Sequence, residues 1–311
     1  MLSDLAWLWR VSKRVCEGRG PRALKHRLVF MVQAMRCMPS LRNYIQPGPG
    51  SPLQRLIAHR PEVVGAVVWP YQCLSWDATT RLSRIEEHFA IIETLAPTLD
   101  FPTDGTLRLL DLGDLLPRLH LVLDQPRWFM REGQLVMNLF LDEVRIYSLA
   151  FSFAGDAGQV TAYVGAIQGG NVDGMLDEYR DMTKTLHGMR PRDFLVELFR
   201  AFCRYAGVAK ILAVADSHRQ HRSGYFGDAK AGTLSLNYDE IWVERGGVAQ
   251  GTDSFELALD PQLRSLDDVP SKKRAMYRRR YELLHDLDRR MQAACAEFRL
   301  GKSPSQASTM P

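Results

Sequence analysis

The sequence predicts an α+β fold: a central, mostly antiparallel sheet with flanking helices and helical extensions at both ends. Three observations predict it. Between residues 106 and 168, short apolar or alternating runs (TLRLLDL, LHLVLD, QLVMNLFLDE, VRIYSLAFSFA, QVTAYVGAIQ) are separated by turn material such as Arg131-Glu132-Gly133 and Gly155-Asp156-Ala157-Gly158, the pattern of an antiparallel meander. Helix-spaced blocks follow at 173–184 and 191–205, and a buried-looking strand at 210–216 (KILAVAD) returns after Gly207. A long basic segment at 271–299 then reads as a closing helix.

Each remaining element has a local reason. Residues 4–17 (Leu5, Leu8, Trp9, Val15) and 21–38 (Leu24, Val29, Met31, Val32, Met35) carry helical spacing. The stretch 44–52 (YIQPGPGSP) is a Pro/Gly-rich break and the best linker candidate. Asp77 is placed to cap a helix running to Leu95, whose face is Leu82, Ile85, Phe89 and Ile92. Pro191 suits a first helical turn, and Phe194, Leu195, Leu198, Phe199 and Phe202 line one face of the helix it opens. A strand at 233–238, a short helix from Asp239 and the Gly246-Gly247 turn lead into the last helix. The organisation expected is a basic helical extension and linker at 1–50, an α+β domain at 51–270, and a basic helix and tail at 271–311 packed on that domain.

The 311 residues are enough to bury a sizeable core, and 46% hydrophobic with 24% charged residues excludes wholesale disorder. Five widely spaced cysteines without a C-x-x-C pair read as reduced thiols, which favours the cytosol over a disulfide or zinc framework. Arg10, Lys13 and Arg14 interrupt the first apolar run before it reaches signal-peptide length, and no run approaches the roughly 20 apolar residues of a membrane span. A cytoplasmic location is expected, with peripheral contact at the inner membrane through basic ends. The charge pattern supports such contact: residues 1–42 hold nine Lys/Arg against two Asp/Glu for a net +7, residues 271–290 are +5, and 43–270 are −9. Solvated helix faces are the plainer reading, an anionic lipid, protein or nucleic acid partner the other, with nucleic acid ranked last.

Three unusual words recur in order: TKTLHGMRP at 183–191, YDEIW at 238–242 and RAMYRRRY at 274–281. In them, and less sharply back to about residue 40, the chain resembles the VirK/YbjX family of bacterial proteins, whose conserved region has no assigned activity. The resemblance implies an association with virulence, surface-protein placement and envelope resistance to cationic peptides.

The element order is also similar to that of the GCN5-related acyltransferase fold. There two neighbouring strands splay apart, and the pyrophosphate of acyl-CoA rests on N–H groups at a helix start, where donors are unpaired and the dipole is positive. Here the strands would be 160–168 and 210–216 and the helix 191–205. The fold's Gln/Arg-x-x-Gly-x-Gly/Ala loop is missing, since 168–174 (QGGNVDG) has the wrong spacing, although 187–191 (HGMRP) could substitute as an anion cradle. The resemblance makes an acyltransferase acting on an envelope lipid or protein one hypothesis, with acyl-CoA or an acyl-carrier protein as donor. A non-enzymatic adaptor or chaperone that binds a surface protein or an anionic membrane is the alternative.

On the first hypothesis His187, flanked by Lys184, Arg190 and Arg192, is a base or an anion donor, with Gly188, Arg190 and Arg192 holding the cofactor; otherwise His187 braces a loop. Asp216 and His218 lie beyond a strand end, where open sheets place ligand contacts. His218 and His221, three apart, would share a helical face with Asp216 as a third metal ligand, but no fourth is evident and no metal site is assigned. The pair Asp239 and Glu240 supplies a general base beside Trp242, or Asp239 is an N-cap beside a core anchor. Tyr277 and Tyr281 face the protein with Arg278, Arg279 and Arg280 in water, or they grip an anionic partner. Ser217 and His218, being neighbours, do not make a triad, and no G-x-S-x-G elbow occurs. All these proposals need the loop before Pro191 and the far end of the 210–216 strand to share one pocket.

Overall fold

Five strands of the computed structural model follow one another as an antiparallel meander: β1 (Thr106–Asp111), β2 (Leu119–Asp124), β3 (Leu135–Leu141), β4 (Val144–Ala154) and β5 (Thr161–Gly169). The structure describes residues 2–155, 158–170, 174–226, 236–261 and 263–298. After β5 the chain crosses through helices α6 (Met175–Thr185) and α7 (Pro191–Tyr205) and returns as β6 (Lys210–Val214), parallel to β5. A short hairpin, β7 (Val248–Gln250) and β8 (Ser254–Leu257), adds its second strand to β6, giving the order β1-β2-β3-β4-β5-β6-β8-β7. The fold is therefore α+β with a mixed sheet whose one parallel pair among the described residues is β5 and β6.

Helix α7 covers one face of the meander. Phe199 and Phe202 meet Phe151 of β4 edge-on at 4.9 and 5.9 Å, and all three rings are fully buried. The last helix, α9 (Ser271–Glu297), packs beside α7 through Leu283, Leu287 and Met291. A second apolar cluster belongs to α1 (Leu2–Val15), α2 (Pro21–Arg36), α3 (Met38–Ile45), α4 (Pro52–His59), a 3-10 stretch at Pro61–Val67 and α5 (Ala78–Leu95). It draws Leu8, Phe30 and Tyr44 from one side of the 44–52 break and Leu56, Val64 and Phe89 from the other. Asp77 caps α5 by accepting from the Thr80 N–H at 2.7 Å. At the far end of β4, beyond its pairing with β3, His88 Nδ1 of α5 accepts the Phe153 N–H at 3.0 Å, and Glu87 Oε2 accepts that of Gly155.

Two details differ from the expected elements. Residues 233–235 of the predicted strand 233–238 lie outside the described residues, but Tyr238 opens helix α8 (Tyr238–Glu244) instead of ending a strand. The cap of α8 is Asn237, whose side-chain oxygen accepts from the N–H groups of Asp239 and Glu240. The β7–β8 hairpin was not visible in the sequence, because its strands are three and four residues long and β7 is wholly exposed. Strands β5 and β6 pair only from Thr161–Lys210 to Val164–Ala213, after which β5 runs on while β6 turns away. Tyr238 fills the resulting gap: its hydroxyl accepts from Ile167 N at 2.9 Å and donates to Ile167 O at 3.0 Å. Trp242, one turn on, donates its indole N–H to Val214 O and is fully buried.

Candidate active site

The segment between β2 and β3 runs across the sheet face opposite α7. Phe129, at the end of a 3-10 turn (Arg127–Phe129), anchors it in a small cluster with Val136, Ala150 and Ala166. Two glycines let it lie flat. A Cβ on Gly133 would stand 2.5 Å from Phe151 N, and one on Gly165 of β5 would stand 2.0 Å from Glu132 O. Gly165 also sits where the β4–β5 register slips between Phe151–Val164 and Ala150–Ala166, a bulge that turns this part of β5 toward the segment. Gln72 completes the hold: its N–H donates to Arg131 O at 2.7 Å, and its side-chain amide donates to Glu132 O and Tyr163 O.

These contacts fix Glu132 at the bottom of a cavity of about 820 Å³, a size that suits a small-molecule ligand. The carboxyl is buried. Oε1 accepts from Gln220 Nε2 at 2.8 Å and lies 3.4 Å from His221 Nε2, while Oε2 is buried with no hydrogen-bond partner. Burial pushes this carboxyl up to about 7 against the opposing pull of Gln220 and Arg131, so near neutral pH it can both give and take a proton. His221 is one-third exposed and lines the same cavity beside Glu132, where it can relay that proton.

The walls are cationic and aromatic. The Arg131 guanidinium stacks on Trp69 at 4.7 Å and faces Tyr225 at 5.6 Å. Lys13 and Arg14 from the end of α1, together with Arg127, line the opposite side. Glu62, itself buried, pairs with Arg14 and Arg127 and keeps them at the rim. Glu17 and Glu62 line the cavity too, so four cations stand against two carboxylates besides Glu132, a modest bias toward an anionic ligand.

The sequence-predicted residues fall in two places. Asp216 N donates to Asp239 Oδ1 at 2.7 Å, so the end of β6 and the start of α8 do meet. The Asp216 carboxylate accepts from Tyr238 N, Arg219 and Arg222. Burial would raise it, but those three donors outweigh burial and hold it below the usual carboxylate range. Arg219 also lies 3.6 Å over the Tyr238 ring. This clamp fixes the turns Asp216–His218 and Gln220–Arg222, the second of which delivers Gln220 and His221 to Glu132. His218, in the first turn, lies within 2.9 Å of Ser217 Oγ through Nδ1, a contact the sequence reading did not expect of neighbours.

His187, Gly188, Arg190 and Arg192 sit at the other end of α8. His187 has a φ of +52°, and its carbonyl accepts two bonds from Arg280 of α9. The N–H groups of 187–189 donate to Lys184 O, Thr183 O and Leu186 O, so an anion at this loop would meet Arg190 and not those donors. Arg190 is exposed, 3.6 Å from Glu244, and Arg192 is tied to Asp193 and Glu244. A neighbouring cavity is lined by Met189, Arg200, Arg245, Tyr277 and Arg280, but by none of Asp216, His218 and Asp239. Tyr277 and Tyr281 face it, and Arg278 and Arg279 are exposed. Sequence reading missed Glu132, Gln220, Arg131 and Gln72. The one signal was an acidic residue beside a glycine in what looked like turn material.

Among the described residues no group of three or more His, Cys, Asp or Glu could hold a metal ion, and no helix is long and apolar enough to cross a membrane. All five cysteines are free thiols. The fold and the cleft define an α+β protein with a mixed sheet and a buried carboxyl at a cavity lined by charged and aromatic side chains. The chain belongs to the VirK/YbjX family, described as protein of unknown function DUF535, which it matches over residues 19–293. An uncharacterized protein of Haemophilus influenzae is 33% identical over 181 residues, covering 57% of this chain and 58% of that protein. The uncharacterized protein YbjX of Escherichia coli is 28% identical over 148 residues, 48% of this chain and 44% of YbjX. The chain thus spans about half the length of the curated relatives it matches. No solved structure matches.

Proposed function

We propose that the protein is an acid–base enzyme acting on an anionic substrate, with Glu132 as the proton-transfer group, His221 as its partner and Lys13, Arg14, Arg127 and Arg131 as the substrate-binding cations. The observation that carries this reading is the Glu132 carboxyl: buried, raised to about 7, and carrying one oxygen without a hydrogen-bond partner. Asp216 and Asp239 act as positioning residues, holding the turn that presents His221. Acyl transfer to an envelope lipid or protein is the reaction class that the resemblance to GCN5-related acyltransferases implies. The parallel β5–β6 pair that parts after Val164 supports it. Tyr238 fills that gap, so an acyl donor would reach Glu132 from the basic cavity.

The test is a pH–rate profile with acyl-CoA or acyl-carrier protein as donor and extracted envelope lipids and proteins as acceptors. An apparent pKa near 7 that disappears, with a loss of about 10²-fold or more, in Glu132→Gln is expected. Absence of donor binding by calorimetry together with absence of turnover would remove acyl transfer. A pH profile unchanged in Glu132→Gln would remove the acid–base role itself.

A second reading, an adaptor that holds an acidic surface protein, is favoured by the exposed Arg278 and Arg279 on α9. It predicts partner binding that weakens with salt and with Arg278→Ala, Arg279→Ala and Arg280→Ala combined. Binding indifferent to both would eliminate it.

A further inference from the structure

Helix α2 presents its apolar side to the solvent. It buries only Ala23, Phe30 and Ala34, while Leu24, Leu28, Val29, Val32 and Met35 are 48, 53, 48, 44 and 49% exposed. At roughly 100° per residue, Leu24, Leu28, Val32 and Met35 fall within about 80° of arc, on the side of the helix away from the buried residues. The stripe is continuous. Lys25, Arg36 and Arg22 follow it along one flank, and α2 contains no acidic residue. Arg27 is turned inward, donating to the carbonyls of Cys16 and Gly18, where it ties α2 to the end of α1.

An exposed apolar stripe of this length on a folded protein calls for a covering surface, and the charge decides which. A second copy stacked antiparallel, stripe to stripe, would bring like charges together along the same flank. A nucleic acid would satisfy the cations but not Leu28 and Val32. An anionic lipid surface satisfies both, with acyl chains for the stripe and headgroup phosphates for the flank. The helix is 16 residues long, so it lies on such a surface and does not cross it.

We propose that α2 docks the protein on an anionic membrane surface, with Leu24, Leu28, Val32 and Met35 inserted at the headgroup level and Arg22, Lys25 and Arg36 paired with phosphates.

The experiment is flotation of the full chain with vesicles of phosphatidylcholine plus phosphatidylglycerol, against phosphatidylcholine alone. Binding to the anionic vesicles only is expected, falling about fivefold with Lys25→Glu and more with Leu28→Glu plus Val32→Glu. These side chains are exposed, so thermal melts of the variants should match the parent. As a gain-of-signal control, Leu28→Trp should shift its emission to the blue with anionic vesicles. Equal flotation of parent and variants, an unshifted Leu28→Trp spectrum, or concentration-dependent self-association that Leu28→Glu abolishes while no vesicle is bound, would each overturn the proposal.

Discussion

At the scale of single residues the molecule turns on Glu132. An acid whose folded pKa is about 7 against an ordinary 4.5 binds more protons folded than unfolded between those two values. Its favourable contribution is therefore complete below pH 4.5 and is lost as pH rises through 7, a difference of about 3 kcal/mol. Glu132→Gln keeps an acceptor for Gln220 Nε2 and cannot ionise. It should raise stability at pH 8 by up to about 3 kcal/mol and leave it unchanged at pH 4, as urea titrations at the two values would show. Equal stability of parent and variant at pH 8 would mean that the carboxyl is not held in an apolar site. Gly165→Ala should do the opposite. The new Cβ meets Glu132 O at 2.0 Å, with backbone on both sides of the clash, so a loss of about 2 kcal/mol or more is expected in the same titration.

At the scale of elements, the β5–β6 gap is closed by a single phenol. Tyr238→Phe keeps the ring between Arg219 and Trp242 but leaves the Ile167 N–H and carbonyl unpaired inside the protein, which should cost about 1–3 kcal/mol. Amide exchange at Ile167 should quicken with it; protection unchanged from the parent would show that water or another group already satisfies that edge. Elements of this kind mark where sequence reading stops. The meander was legible because each strand alternates or runs apolar over at least six residues, and α5 and α7 because their apolar spacing and their Asp77 and Pro191 starts agree. The β7–β8 hairpin, with seven strand residues in all, has too little pattern to read. The cleft was illegible for a different reason. Glu132, Gln72 and Gln220 lie at positions 132, 72 and 220, and only the bulge at Gly165 and the clamp on Asp216 bring them together. No local spacing encodes that meeting. Asp216 and Asp239 drew notice in the sequence because each sits at the end of a readable element, and the structure shows them hydrogen-bonded to each other.

At the scale of the whole molecule, two buried groups set opposite responses to pH. His88 joins α5 to β4, fully buried, stacked on Phe153 and held neutral by burial at a pKa of about 3. Folded, it binds fewer protons than the unfolded chain between 3 and 6.5, so its contribution is whole above 6.5 and is lost as pH falls toward 3, by about 4–5 kcal/mol. Glu132 acts in the other direction between 4.5 and 7. From these two groups, stability rises with pH below 4.5, is nearly level from 4.5 to 6.5 where the slopes cancel, and falls from there to 7. Replacing His88 should expose the Glu132 slope. In His88→Gln, which offers the Phe153 N–H an acceptor but does not titrate in this range, stability should decline steadily from pH 4.5 to 7 instead of staying level. The double variant His88→Gln plus Glu132→Gln should again be level across that interval, offset from the parent by the lost packing on Phe153 and by the two titration costs it no longer carries. A level profile in the single His88 variant would show that Glu132 is not held as its burial requires, and would take the acid–base reading of that residue with it.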